Sequence, residues 1–268
     1  MTAALVVGCT GRSDDGGAGG RLRRAGPGRR RAAPMTAALV VGCAGLGLAV
    51  GGLVSVVIAT ASPDEPLYGL LRQRVAAGGA ASLVSYRKPA ASLATAAVFA
   101  VLAARFGADA ALPGFLVLAA GLVAISAIDL RLLLVPNHVL YPTLFAMAAL
   151  LTVAAAVDDR WSDLGRAAAG GLLGFAVMFL IHLINPSGLG FGDVRLAGLL
   201  GGAMAWLSLG RVMLGLFLGF LGAALVGAVL VVAGRKRGTD SLPLGPFLVA
   251  GALVAIVAGG PILDWYSP

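Results

Sequence analysis

Charged residues are scarce in this 268-residue chain, 12% against 59% hydrophobic. A soluble domain carries about 25% charged residues, so a water-bathed surface around one core is excluded. Glutamate occurs once, as Glu65, and histidine twice, as His138 and His182. Cys9 and Cys43 are the two cysteines and form no Cys-x-x-Cys pair, which excludes a disulfide framework and a Cys-based zinc site. Each histidine stands alone on an apolar segment and reads as a packing or hydrogen-bonding residue, so neither a metal nor a cofactor is expected. Serines such as Ser126 have no histidine and acid at usable positions, which argues against a serine protease.

What is present is apolar sequence in long stretches, several near the roughly 20 residues that cross a bilayer. Eight spans are expected, over 36–60, 91–106, 112–130, 138–157, 166–185, 194–209, 211–233 and 244–263. The fold class is therefore all-α, a polytopic membrane helical bundle of about eight transmembrane helices. The 40 glycines suit close helix packing through small side chains, although a genomic bias would enrich them too. One repeat stands out: Met1 to Cys9 recurs unchanged as Met35 to Cys43. The stretch between the copies holds seven arginines among Gly and Pro and cannot bury a core. Residues 1–34 are accordingly expected as a disordered basic leader, upstream of a true start at Met35 or added by duplication. Residues 35–110 should hold the first span, a cytoplasmic loop and the second span, and residues 111–268 the main membrane domain.

Alternating the spans gives two sets of loops. One set carries nine basic residues, Arg72, Arg74, Arg87, Lys88, Arg131, Arg195, Arg235, Lys236 and Arg237. The other carries four, Arg105, Arg160, Arg166 and Arg211, with Asp109, Asp158, Asp159, Asp163 and Asp264. The positive-inside bias assigns the first set to the cytoplasm. The formal charge of +8 is thus explained by orientation and lipid headgroups, and no nucleic-acid partner is expected.

Two aspartates fall at the edges of apolar segments, both on the cytoplasmic side of this topology. Asp129 closes a run from Gly121, and Asp193 follows Gly190-Phe191-Gly192. A carboxylate at the centre of a membrane helix costs about 2.5–3.5 kcal/mol, so such residues are functional candidates. Alone, either would read as a helix cap, a loop charge or half of an ion pair with Arg131 or Arg195. Together, on one side, they invite comparison with a dyad sharing one proton. One ionised and one protonated carboxylate can activate water and protonate a peptide carbonyl or leaving amine. Asn185-Pro186-Ser187-Gly188 breaks the preceding helix, so Asp193 should open a new one. Gly190 and Gly192 let the backbone bend or a substrate strand approach.

The segment Gly190-Phe191-Gly192-Asp193-Val194-Arg195-Leu196 resembles the Gly-x-Gly-Asp signature of the type IV prepilin peptidases, polytopic aspartic proteases. Ala127-Ile128-Asp129 through Pro136-Asn137 resembles the other aspartate segment of that family. Leu242-Pro243-Leu244-Gly245-Pro246-Phe247-Leu248 resembles its late Pro-Phe-Gly-Pro-Phe motif, and Tyr86-Arg87-Lys88-Pro89 is similar to an Arg-Tyr-Pro segment. The likeness spans most of residues 36–263. It implies an inner-membrane endopeptidase that cuts type IV pilin-like precursors after a glycine at the cytoplasmic face, in pilus assembly or protein secretion. Asp129 and Asp193 would be catalytic, with Gly190, Gly192, Pro136 and Arg195 shaping the substrate's approach.

The departures from the family pattern are specific. Full-length members carry two Cys-x-x-Cys pairs in a loop after the first span, and residues Ser62 to Pro89 hold no cysteine here. Gly52-Leu53-Val54-Ser55-Val56 replaces a Gly-Ser-Phe-Leu-Asn-Val-like pattern. Bifunctional members use this N-terminal portion to methylate the cut pilin with S-adenosylmethionine, so methylation is expected to be weak or absent here, and no bound zinc is expected. Asn137 stands where the family has an aspartate, and Arg195 where lysine is frequent. The rival reading is a non-enzymatic transporter or membrane scaffold whose aspartates carry protons or ions.

Overall fold

The computed structural model describes residues 29–60, 89–186, 188–233 and 243–266. They form eight helices and, among the described residues, no strand: α1 (Arg29–Thr60), α2 (Pro89–Phe106), α3 (Leu112–Leu132), α4 (Asn137–Asp158), α5 (Trp161–Ile184), α6 (Phe191–Leu207), α7 (Leu209–Val232) and α8 (Gly245–Tyr266). Six of them, all but α2 and α6, are long and apolar enough to cross a membrane. The chain is a multi-pass membrane protein. Residues 1–28, most of the loop that lacks cysteine, Tyr86-Arg87-Lys88 and Arg235-Lys236-Arg237 lie outside the described residues.

Helix ends follow local chemistry. Asp109 Oδ1 accepts from the Ala111 N–H at 2.8 Å and Pro113 sits in the first turn of α3, where a missing N–H costs nothing. Only Ser208, in an extended conformation, separates α6 from α7. Two boundaries correct the sequence reading. Helix α5 starts at Trp161 rather than 166, because its polar first turn is held by ion pairs from Arg160 and Arg166 to Asp163, at 2.7 and 2.9 Å. Helix α1 starts at Arg29, so residues 29–34, expected in a disordered leader, are helical; alanine and arginine are good helix formers and extend a helix past its apolar part.

Three helix pairs pack closely through small residues. A Cβ on Gly174 of α5 would stand 2.5 Å from the Ala197 carbonyl oxygen of α6, and one on Gly47 of α1 would stand 2.7 Å from Ala96 Cα of α2. Helices α7 and α8 meet in the same way at Gly219 and Gly251. Without a hydrophobic drive between helices in lipid, this close backbone approach supplies the dispersion contact that holds them. The centre is filled by Phe99, Phe115, Leu122 and Trp206, all buried. Trp206 does not sit in an interfacial aromatic belt: it is fully buried beneath the Arg160 guanidinium, 5.1 Å from the ring centroid. Trp161 and Trp265 are exposed near helix ends, as such a belt requires.

With 17 residues, α6 is about 25 Å long at 1.5 Å per residue, shorter than the roughly 30 Å hydrocarbon core. Its first turn opens behind the extended backbone at Gly190. That turn carries Asp193.

Candidate active site

Asp129 sits one turn before the end of α3. Leu133 then takes a left-handed conformation (φ 53°), and its N–H closes on the Asp129 carbonyl oxygen at 2.9 Å. A non-glycine residue there is uncommon. It swings Leu134 and Val135 back across the end of the helix, and Pro136, buried, hands the chain to α4. Asp193 is the third residue of α6, behind a backbone extended at Gly190 (φ −66°, ψ 140°). Its N–H donates to the Gly190 carbonyl at 3.0 Å, while its carboxylate folds back over Gly190. A carboxylate in the first turn also suits the helix dipole.

The two aspartates, 64 positions apart in sequence (193 minus 129), line one cavity of about 280 Å³ with Asn137, Gly190, Gly192, Arg195 and the Leu133–Val135 turn. They are near enough for the charge of one to act on the other. Asp129 is 3% exposed and Asp193 half-buried. Neither is ion-paired among the described residues, so the alternative in which Arg131 or Arg195 neutralises them does not hold. Arg195 instead donates to Asn137 Oδ1 at 2.6 Å and stacks over Phe191, 4.5 Å from the ring centroid. The bond ties the start of α4 to α6 across the cavity mouth.

The glycines of the motif differ in what they do. A Cβ on Gly192 would come within 2.9 Å of Val135 Cβ, so Gly192 lets the α3–α4 turn close over α6. A Cβ on Gly190 would sit 3.4 Å from Asp193 Oδ2, an ordinary contact. Pro136 is not among the cavity-lining residues; it is buried between that turn and α4.

One contact escaped the sequence reading. The Gly245 N–H at the start of α8 donates to Asp129 Oδ2 at 3.1 Å, a buried bond over 116 positions. A Cβ there would stand 2.7 Å from the same oxygen. The signal was the Gly245-Pro246 pair, which marks a helix start but says nothing of what the free N–H meets. His182 Nδ1 lies 2.7 Å from the Leu189 carbonyl oxygen and steadies the loop before Gly190, while His138 is exposed.

The family described as type IV leader peptidase matches residues 116–232, a segment holding both aspartates and the Gly-x-Gly frame. A prepilin leader peptidase/N-methyltransferase of Bacillus subtilis is 30% identical over 209 residues, 77% of this chain and 81% of the relative. The chain belongs to the type IV leader peptidase family. A relative of the same description from Aeromonas hydrophila is 30% identical over 216 residues (77% of this chain, 70% of the relative). One from Burkholderia pseudomallei is 32% identical over 179 residues (66% and 57%). No solved structure matches the chain. Within this leader peptidase fold, Gly245 lies beyond the matched segment, yet it touches the aspartate inside it.

Proposed function

We propose that residues 111–268 form the peptidase domain of a prepilin leader peptidase whose catalytic pair is Asp129 and Asp193. The observation that carries this reading is the single cavity lined by both carboxylates at one end of the bundle. Water held between them would lose a proton to the ionised carboxylate as its oxygen attacks the peptide carbonyl. The protonated partner would give its proton to the developing oxyanion or the leaving amine. The pair titrates as a unit. The Gly245 N–H fixes one oxygen of Asp129, whose side chain lines the cavity. The nine-to-four excess of basic residues in the loops on this side supports a site facing the cytoplasm.

The substrates are type IV pilin-like precursors, with a polar leader in the aqueous phase and an apolar helix in the membrane. The other acids among the described residues, Asp109, Asp158, Asp159, Asp163 and Asp264, lie in the loops and helix ends of the opposite face, whereas proton pathways use chains of acids across the membrane. That arrangement favours hydrolysis over transport. Residues Ser62 to Pro89, without cysteine, support an enzyme that cuts without methylating. The deciding experiment is leader cleavage of a co-expressed pilin-like precursor by Asp129→Asn and Asp193→Asn. Each should insert normally and fail to cut; near wild-type cleavage by either ends the dyad assignment.

A further inference from the structure

Beside the dyad cavity runs a larger apolar groove of about 760 Å³, walled by α4, α5 and α6. Its α6 wall is a single helical stripe, Phe191, Arg195, Gly198, Leu199 and Gly202, whose three- and four-residue spacings put them on one face. The stripe is about 16 Å long and ends in the turn that carries Asp193. Arg195 lines both the groove and the dyad cavity, so the two adjoin at this side chain. On α5 and α6 the lining mixes Gly171, Gly198 and Gly202 with the larger Leu172, Phe175 and Leu199. Helix α4 forms the far wall with Leu144 and Ala148. A second apolar groove, about 560 Å³ between α1, α3 and α4, has no lining residue in common with the dyad cavity.

We infer that the α4–α5–α6 groove seats the apolar helix of the precursor, and that this helix leaves the groove at Phe191 and Arg195 to present its leader junction to the dyad. The inference rests on the leader peptidase reading given above. A precursor that is apolar on one side of the scissile bond and polar on the other needs an apolar trough next to the polar cavity, and this groove borders it at Arg195. Its lining is apolar apart from Tyr141 and Arg195, which suits an apolar helix. Three turns of groove match three turns of helix. The Arg195 guanidinium, held by Asn137 and Phe191, marks the depth at which the helix must stop and the backbone become extended for attack.

Two measurements test this. In kinetics, Ala148→Trp and Ala168→Trp, which fill the groove from exposed positions, should raise KM for a full-length pilin-like precursor roughly tenfold with kcat little changed, the mark of lost ground-state binding. Ala146→Trp in the second groove should leave both unchanged. In cross-linking, single cysteines at 148, 168 or 146 are placed in a chain with Cys9 and Cys43 replaced by serine and Asp193→Asn added. The probe is a precursor with one cysteine two turns beyond its cleavage site. Disulfides at 148 and 168 but not 146 support the inference, and disulfides at 146 alone or at none of the three overturn it, whatever the folding of the tryptophan variants. Failure of the dyad reading would appear separately, as cleavage surviving Asp193→Asn.

Discussion

Asp129 is set by three different segments, and each can be perturbed alone. Its backbone carbonyl holds Leu133, its Oδ2 accepts from Gly245, and its side chain lines the cavity shared with Asp193. Replacing either carboxylate by an amide keeps the shape and removes the proton chemistry, so cleavage should fall roughly 10²–10⁴-fold while the protein still inserts. Gly245→Ala should be nearly as instructive. Its methyl group would press on Asp129 Oδ2, and a displacement near 1 Å in a catalytic group costs on the order of 100-fold. Gly190→Ala meets only an ordinary contact and should cost far less in a precursor cleavage assay. Equal losses at the two glycines would remove Gly245 from the positioning role.

At the scale of elements, the turn from α3 to α4 decides whether the pair can meet. Leu133 accepts a left-handed backbone that costs an ordinary L-residue about 1–2 kcal/mol. Leu133→Gly removes that cost but adds about 0.5–1 kcal/mol of backbone freedom to the unfolded chain. The thermal midpoint in detergent should therefore hold or rise slightly. Leu133→Val, β-branched and poorly suited to positive φ, should lower it. If glycine destabilises more than valine does, Leu133 is held by its side chain and not by its backbone. The short α6 acts at this scale too, since its first turn holds Asp193 beside the α3–α4 turn.

At the scale of the whole molecule, the bundle is held by close pairs, and the α5–α6 pair carries one aspartate. Gly201 faces Gly170 and Gly174 of α5 with no room for a side chain. Gly201→Leu should force the helices apart at a cost of at least about 1–3 kcal/mol. The expected outcome is loss of folded protein in the membrane, read by protease resistance, with cleavage lost in proportion. The purified enzyme, incubated with labelled S-adenosylmethionine and a cut precursor, should transfer no methyl group. Transfer would mean that the region between α1 and α2 does methyl chemistry without the family's cysteines.

How much of this was legible in the sequence follows from what each signal depends on. Apolar stretches report on one helix at a time, because lipid demands that each span satisfy its own backbone; hence the eight helices and the multi-pass architecture could be read directly, to within a few residues at most ends. Trp206 and the start of α5 could not, since both depend on ion pairs and a stacked arginine supplied by other segments. The candidate aspartates were visible because a carboxylate in an apolar run is costly wherever the helix packs. Their shared cavity, the Gly245 bond across 116 positions and the Arg195–Asn137 tie were decided only when the helices assembled. Hydropathy and motif spacing carry no information about distance between helices, and whether two carboxylates can act together depends on that distance.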